Sequence, residues 1–219
     1  NVWISTLGNG VFMQTYEGVY YLNDKTGLSH KNVYSIARID NKLIAGYKNG
    51  SLDIIENGNV KNVHLTDEVY NRVLKLASGD IVYAATDKAL LTLSSDFNVL
   101  SKQLGAVKCI DDVSQNLYVG TYNGLYQVNK KSGSIVKKMY NKRTLSVCAE
   151  HSDTIWIGTN TGLYYYTQDT ALYYADKHPE VSGRIKGLEY RNDRLIVGTH
   201  GEGMLIQNGE NFLRITQND

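Results

Sequence analysis

Apolar residues in this chain fall into short runs of four to seven positions, separated by turns rich in glycine, asparagine and charged residues. Two regions illustrate the scheme, with runs at 145–149, 154–159, 163–167 and 171–175, then at 185–190, 195–199, 204–207 and 212–215. No stretch sustains the 3.6-residue apolar period of an amphipathic helix. Short runs rich in β-branched and aromatic residues are typical of strands. The pattern therefore predicts an all-β chain with almost no helix.

The runs belong to a repeat that is found six times. Each copy contains a strand-like segment that ends in threonine or, once, in tyrosine, at intervals of 35 to 41 residues. We call these end residues the anchors: Thr6, Tyr47, Thr86, Thr121, Thr159 and Thr199. Around each anchor the sequence divides into short antiparallel strands, four in a complete copy. Four strands in about 40 residues are typical of the blade of a β-propeller.

A small residue precedes every anchor: Ser5, Gly46, Ala85, Gly120, Gly158 and Gly198. We expect another strand to approach closely here, because a larger side chain would be excluded.

A short turn follows each anchor. Asn49-Gly50 and Asn123-Gly124 predict type I′ turns, in which both central residues have positive φ. Gly8-Asn9-Gly10 and Gly201-Glu202-Gly203 predict a longer loop, and because no helix follows them they are not dinucleotide sites.

The first anchor lies on the second strand of its blade, so the repeat predicts three strands followed by five sets of four. Residues 1–219 are therefore interpreted as a single β-propeller domain or fragment, with five complete blades and a partial first blade. A propeller closes by pairing strands from its two chain ends. We expect a fragment of a larger propeller of about seven blades, with a six-bladed ring that closes imperfectly as the alternative.

The segment 155–166, IWIGTNTGLYYY, resembles the two-component regulator propeller repeat. That repeat has an aliphatic-Trp-aliphatic-Gly-Thr stretch, a short turn, and then Gly-Leu and aromatic residues. The segment 117–126, LYVGTYNGLY, matches it as well, and the sixth copy matches in part through Gly198-Thr199 and Gly203. The first copy is similar, with Ser5 in place of glycine. Tyr47 in the second copy and the alanines of the third depart from the repeat.

The resemblance implies the extracytoplasmic sensor region of hybrid two-component regulators of gut Bacteroidetes, which are linked to the detection of glycan fragments. It implies a periplasmic, non-enzymatic module that binds an oligosaccharide without a cofactor. The transmembrane, kinase and DNA-binding parts of such a regulator are not found in these 219 residues. The Gly-Thr motif is structural in this family, so the resemblance assigns no binding residue.

Composition excludes several other classes. Twenty-three basic and 22 acidic residues give a net charge of +1, which offers little support for binding nucleic acid or an anionic membrane. A hydrophobic fraction of 42% is enough to build a core. No apolar run approaches the roughly 18 residues of a membrane span, and no signal peptide opens the sequence. We expect no direct contact of this segment with a membrane.

Catalytic and metal-binding patterns are also missing. The two cysteines, Cys109 and Cys148, lie in apolar runs and are predicted to be free buried thiols. The histidines are scattered without metal-ligand spacing, at His30, His64, His151, His178 and His200. Asp111-Asp112 could serve acid–base chemistry but is predicted to end a strand in solvent. The sequence therefore predicts no enzyme, no metal site and no cofactor.

Basic residues are concentrated between positions 130 and 143, and residues 127–149 contain no acid. The group consists of Lys130, Lys131, Lys137, Lys138, Lys142 and Arg143. One interpretation is a patch for an anion or a partner. The favoured one is that Lys137 and Lys138 protect the edge of an outermost strand from aggregation. Arg143 falls in the connection that follows and is freer to bind.

The turns after the anchors and the connections between blades form the face on which propellers usually bind ligands. The candidate ligand-binding residues on this face are Tyr47, Tyr122, Asn160, His200, Glu202, Arg143 and Arg184. The same face is predicted to display His30, Lys48, Asn71, Asp87, Lys88 and His178. Aromatic rings can stack on a sugar while forked donors reach its hydroxyl and carboxylate groups. The alternative is that turns are polar and aromatic in any case.

The strand aromatics Tyr164, Tyr165, Tyr166, Tyr173 and Tyr174 are predicted to pack between blades. Two functions remain beside the glycan sensor. One is a scaffold whose faces hold a partner protein or a second copy of the chain. The other, less favoured, is a propeller lyase or hydrolase, which would need a metal or a set of acid–base residues on one face.

Overall fold

The structure is a computed structural model. It describes residues 2–15, 17–66, 73–78, 81–150 and 154–216 of the 219. These ranges contain 23 strands and three single 3₁₀ turns, at Asp24–Thr26, Tyr174–Asp176 and Pro179–Val181. The all-β prediction is confirmed. The strands form one three-stranded and five four-stranded antiparallel sheets, and the strands of each sheet are consecutive in sequence.

The chain divides into two compact units, Asn1–Ala106 and Val107–Asp219. The first unit holds three sheets. The first sheet contains β1 (Val2–Thr6), β2 (Gly10–Gln14) and β3 (Val19–Leu22). The second contains β4 (Ser35–Ile39), β5 (Lys42–Gly46), β6 (Ser51–Glu56) and β7 (Asn59–His64). The third contains β8 (Val73–Ser78), β9 (Val82–Thr86), β10 (Ala89–Leu93) and β11 (Val99–Gly105).

The second unit also holds three sheets. The fourth sheet contains β12 (Val107–Val113), β13 (Asn116–Thr121), β14 (Gly124–Asn129) and β15 (Ile135–Tyr140). The fifth contains β16 (Ser146–Ala149), β17 (Ile155–Thr159), β18 (Gly162–Thr167) and β19 (Thr170–Tyr173). The sixth contains β20 (Ile185–Arg191), β21 (Arg194–Thr199), β22 (Met204–Asn208) and β23 (Asn211–Ile215).

The core of the second unit lies between consecutive sheets, because alternate side chains of each strand point to opposite faces. Ile155 and Ile157 pack with Tyr118 of the fourth sheet. Trp156, between them, packs with Leu195 of the sixth. The five strand tyrosines named above belong to these two clusters, as predicted. The predicted fourth strand of the fifth sheet differs at its end, where 174–176 form a 3₁₀ turn that buries Ala175.

The anchor threonines close the turns with their hydroxyl groups. Thr121 Oγ1 accepts a hydrogen bond from the Asn123 N–H at 3.1 Å and donates one to the Gly124 carbonyl at 3.0 Å. Thr6, Thr86, Thr159 and Thr199 make the equivalent pair of bonds. This side-chain bond explains why threonine ends the motif.

The prediction of type I′ turns after the anchors is wrong. Gly50 and Gly124 have positive φ, but the asparagine before each does not. Side-chain bonds hold these turns instead, from the Asn123 N–H to Thr121 Oγ1 and from the Ser51 N–H to Asn49 Oδ1. The structure has positive φ at both central residues in other hairpins, namely Asn57-Gly58, Gln168-Asp169 and Asn192-Asp193. Two of these pairs contain no glycine, so the usual Asn-Gly signal missed them.

The close approach predicted before the anchors is confirmed at Gly120 and Gly158 of the second unit but not at Gly198, where the nearest atom to an added Cβ would be 3.6 Å away. A Cβ atom on Gly120 would lie 2.7 Å from Thr144 Cγ2, at the entry to the next sheet. A Cβ atom on Gly158 would lie 2.7 Å from Ile185 Cγ2, which has the equivalent place in the sixth sheet. These two glycines are required because side chains of their own sheet, Cys109 and Ser146, and the chain that enters the following sheet both lie against them.

A polar contact links the fifth and sixth sheets within their apolar interface. The Trp156 indole N–H donates to Glu150 at 2.9 Å. The Tyr190 hydroxyl is also hydrogen bonded to Glu150, and this bond, with burial, raises the pKa of Tyr190 to about 12. The phenol is protonated in the folded chain at pH values where a free tyrosine, with a pKa near 10, has lost its proton.

This contact predicts that the free energy of unfolding decreases at high pH. Replacing Tyr190 with phenylalanine removes a contribution that is complete below pH 10 and is lost as the pH rises from about 10 to about 12. The free energy of unfolding of the wild type should therefore fall towards that of the variant over this interval. Urea denaturation of both proteins at pH 8, 10, 11 and 12 measures it. A wild-type-to-variant difference that stays constant with pH would contradict the assignment.

Candidate ligand-binding site

The turns after β13, β17 and β21 and the chain entering β16 and β20 lie at the same end of the strands in the second unit. This follows from the antiparallel order, since each first strand begins where the second strand ends. Two backbone bonds fix the arrangement, from Thr144 N–H to the Thr121 carbonyl at 3.0 Å and from His200 N–H to the Arg184 carbonyl at 2.9 Å. Six of the seven candidate residues belong to this end: Tyr122, Arg143, Asn160, Arg184, His200 and Glu202.

Tyr122 and Arg143 are brought together. The Tyr122 ring is 57% exposed on the turn after β13. The Arg143 guanidinium carbon lies 5.2 Å from the centre of that ring, which is the distance of a cation–π contact. The pair joins an aromatic surface to five N–H donors, the combination that a sugar ring with polar substituents can use.

The guanidinium groups of Arg143 and Arg184 are half-buried. They have equivalent positions, because each lies three residues before the residue that pairs with the glycine preceding the anchor, Ser146 opposite Gly158 and Gly187 opposite Gly198. The Nε atom of each is buried without a hydrogen-bond acceptor, and neither group has an ion-pair partner among the residues that the structure describes. A charged group that is partly withdrawn from water is stabilised by an acceptor, so a ligand that offers one to the remaining N–H donors of these groups would be favoured here.

The other three candidates are exposed on their turns, at Asn160, His200 and Glu202. The Glu202 carboxylate forms an ion pair with Arg214 at 2.8 Å. Its charge is thereby compensated from β23. No contact joins Asn160 or His200 to the Tyr122–Arg143 pair among the described side chains. The candidate binding surface therefore consists chiefly of the Tyr122–Arg143 pair.

Tyr47 does not belong to an exposed surface. Its turn position predicts a displayed ring, but the ring is 1% exposed within the first unit. The reason is Asp53, because the Tyr47 hydroxyl donates to its carboxylate at 2.6 Å. Burial and this bond raise the pKa of Tyr47. Sequence reasoning on the turn therefore gave the wrong place for this side chain.

Asp53 is the residue that sequence reasoning missed. It is fully buried on β6, between Ala45 of β5 and Asn62 of β7. Its carboxylate also accepts bonds from the Ser29 N–H and hydroxyl, both at 2.6 Å, and from the Asn62 amide at 2.9 Å. An acid inside the apolar run SLDII, next to a copy in which tyrosine replaces the anchor threonine, was the available signal.

The basic run separates into paired and unpaired members. Lys130 forms an ion pair with Asp112 at 2.6 Å, and Lys137 forms one with Asp169. Lys138 lies over the Tyr126 ring at 5.5 Å. Lys137 and Lys138 lie on the outermost strand β15, where the edge-protection interpretation places them, and their protective role stays a prediction. Arg143 lies beyond this strand on the candidate surface.

Asp111 and Asp112 are not an acid–base pair. They lie on the first strand of the fourth sheet, where neighbouring residues point to opposite faces. Asp111 accepts a hydrogen bond from the Ala149 N–H at 2.9 Å, and Asp112 pairs with Lys130. Each carboxylate therefore has its own structural partner.

His178 lies away from the turns. Its ring stacks on Tyr174 at 4.3 Å and meets the Phe212 ring edge-on at 5.7 Å. It lines an open cleft of about 660 Å³ beside the β22–β23 hairpin, at the opposite end of β22 from His200. The prediction that His178 joins the turn surface is therefore wrong, because the two 3₁₀ turns of 174–181 hold it elsewhere.

Asn71 and His151 fall outside the described residues. Within the described ranges no group of three or more histidine, cysteine or acidic side chains is arranged to hold a metal ion. The same ranges contain no helix of the length and apolar character that a membrane crossing requires. Neither Cys109 nor Cys148 forms a disulfide bond within the described ranges, and Cys148 is buried whereas Cys109 is half-buried.

Comparison with known proteins identifies the fold. No protein-family model and no curated protein matches the sequence. The extracellular domain of a putative hybrid two-component system from B. thetaiotaomicron matches at 18% identity and a TM-score of 0.77, covering 99% of this chain and 32% of that one. An extracellular domain described as that of a putative one-component system from the same organism matches at 19% identity and a TM-score of 0.78, with coverages of 98% and 32%.

The WD40 repeats of RRP9 are also similar, at 12% identity and a TM-score of 0.73, with 96% of this chain and 75% of that one covered. The fold is a β-propeller. Identities this low are evidence of architecture alone. The chain spans about a third of the length of the two extracellular domains from B. thetaiotaomicron.

Proposed function

We propose that this chain is part of a non-enzymatic sensor propeller that binds a glycan fragment at the turn surface of its second unit. The observation that carries the proposal is the exposed Tyr122 ring with the unpaired Arg143 guanidinium above it. Aromatic rings bind the apolar faces of sugars, and arginine donors bind their oxygen atoms. Two similar solved structures are extracellular domains of signalling systems, which favours a sensor over an enzyme.

The same two structures support a periplasmic location for this chain, as part of a membrane-anchored regulator. On this proposal the bound glycan changes the signalling state through parts of the protein that lie outside these residues. The balanced charge of the chain fits such a role, because binding depends on a local pair of side chains and not on a general electrostatic field.

Replacing Tyr122 with alanine is expected to weaken glycan binding by about tenfold, because an aromatic contact of this kind contributes about 1–1.5 kcal/mol. The matched control is Tyr20→Ala, which removes an exposed tyrosine of β3 in the other unit. Calorimetric titration with a panel of neutral and acidic oligosaccharides measures both. Absence of binding to every member, or equal weakening by the control, would overturn the proposal.

Two sheets have a row of apolar side chains on one face that is partly exposed. On the first sheet Ile4 lies opposite Phe12, and Phe12 opposite Tyr21, with Ile4 49% exposed. On the sixth sheet Ile196, Ile206 and Leu213 form the same kind of row, with Leu213 58% exposed.

We propose that these rows pack against further sheets of a longer propeller, as the equivalent rows of inner sheets do. The alternative is a scaffold in which a partner protein or a second copy covers them. Light scattering of this chain distinguishes the longer propeller from the scaffold. A stable dimer whose mass does not change when saccharides are added would favour the scaffold.

A further inference from the structure

We infer that the turn surface of the second unit recognises a carboxylate on its ligand, so that the glycan is an acidic one containing uronic acid. This inference rests on the proposed function and names its ligand class. It starts from two half-buried guanidinium groups, those of Arg143 and Arg184, at equivalent positions of adjacent sheets.

The first step concerns the missing counter-charge. The other arginine of this region, Arg214, is paired with Glu202. Arg143 has an aromatic ring as its only recorded side-chain partner, and Arg184 has none within the described ranges. An arginine that serves stability alone is normally satisfied by a carboxylate or by carbonyl oxygens. Apart from the buried Nε atoms, the N–H donors of these two side chains are not used by the described residues.

The second step concerns which acceptor matches the geometry of the guanidinium group. The guanidinium is planar and presents two parallel N–H groups, which match the two oxygens of a carboxylate. A sugar hydroxyl accepts only one such bond and carries no charge. The absence of any acid between residues 127 and 149 means that no carboxylate of the chain competes from the sequence around Arg143.

The third step concerns the ring beneath. Tyr122 holds Arg143 at 5.2 Å by a cation–π contact, which restricts the guanidinium without consuming its donors. The exposed part of the same ring remains open to the apolar face of a sugar. A uronic acid carries such a face and a carboxylate on adjacent carbons, so it can occupy both groups at once.

The test uses trisaccharides of galacturonic, glucuronic and mannuronic acid, each beside the form in which its carboxyl groups are reduced to alcohols. We expect at least one acid form to bind the chain about 10- to 100-fold more tightly than its reduced form. Arg143→Gln should abolish this preference, and Arg143→Lys should restore only part of it, because lysine keeps the charge without the fork. Arg184→Gln should reduce it as well.

Lys142→Gln is the matched control. It removes one positive charge from the residue next to Arg143 but no forked donor, so the preference should remain. Circular dichroism of each variant checks folding, and we expect the spectrum to be unchanged because neither guanidinium has a hydrogen bond or ion pair with the described residues. Equal binding of acid and reduced forms would overturn the inference and leave the glycan proposal standing. A preference that survives both arginine-to-glutamine changes would overturn this site, and no binding of any form would overturn both proposals.

Discussion

Replacing Asp53 with alanine is expected to lower the free energy of unfolding by about 3–5 kcal/mol, because it leaves buried donors without an acceptor. Four bonds converge on this carboxylate, from the Ser29 N–H and hydroxyl, the Tyr47 hydroxyl and the Asn62 amide. Ser29 lies in the connection between the first and second sheets, so the carboxylate also fixes how the chain enters the second sheet. Urea denaturation followed by circular dichroism measures the change.

The matched control is Glu56→Ala, which removes an exposed carboxylate from the end of the same strand and should change the free energy of unfolding by less than about 0.5 kcal/mol. Tyr47→Phe provides an intermediate case. It removes one donor and leaves the carboxylate with three, so we expect a loss of about 1–2 kcal/mol. If Asp53→Ala behaves like Glu56→Ala, the buried network does not stabilise the fold.

Gly158→Ala is expected to cost about 2–3 kcal/mol, since the added methyl group would overlap atoms of two neighbouring strands. The new carbon would overlap Ser146 Oγ and would lie 2.7 Å from Ile185 Cγ2. Gly158 does not have positive φ, so the loss would come from packing and not from backbone strain. Thermal and chemical denaturation should both report it.

Gly198 provides a control with the same motif and the same place in its sheet. A Cβ atom there would have its nearest neighbour at 3.6 Å, an ordinary contact with the backbone of Gly187. Gly198→Ala should therefore be close to neutral. If Gly158→Ala and Gly198→Ala have equal effects, the side chains of Ser146 and Ile185 are not what excludes a larger residue at the small position.

The difference between the two glycines separates what a repeat can predict from what a neighbour decides. Both stand before an anchor threonine, and the sequence assigns them one role. In the structure Ser146 of its own sheet and Ile185 of the sixth sheet lie against Gly158, whereas the nearest atoms to Gly198 belong to Gly187, which has no side chain. A repeat predicts the average environment of a position. The side chain that lies opposite decides how much a substitution there changes the free energy of unfolding.

The same reasoning explains the outcomes at the candidate site. The position of Arg143 in a connection predicted that it would be available, and the structure adds the Tyr122 ring beneath it. Tyr47 was predicted as a displayed ring by its turn position alone. Its burial depends on Asp53, six residues further along the chain, and on Ser29, which is 24 residues away from Asp53.

By itself the sequence determined the strand order, the six-fold repeat and the β-propeller fold, because strand periodicity, turn residues and the small-residue-plus-threonine motif are local properties. The tertiary structure decided which polar side chains are satisfied and which are not. Asp53, Glu150 and Glu202 obtain their partners from other strands, and Arg143 and Arg184 obtain no acceptor from the described residues. Hydrogen bonding and burial depend on which side chains of neighbouring strands and turns come within bonding distance, and a repeat does not specify those distances.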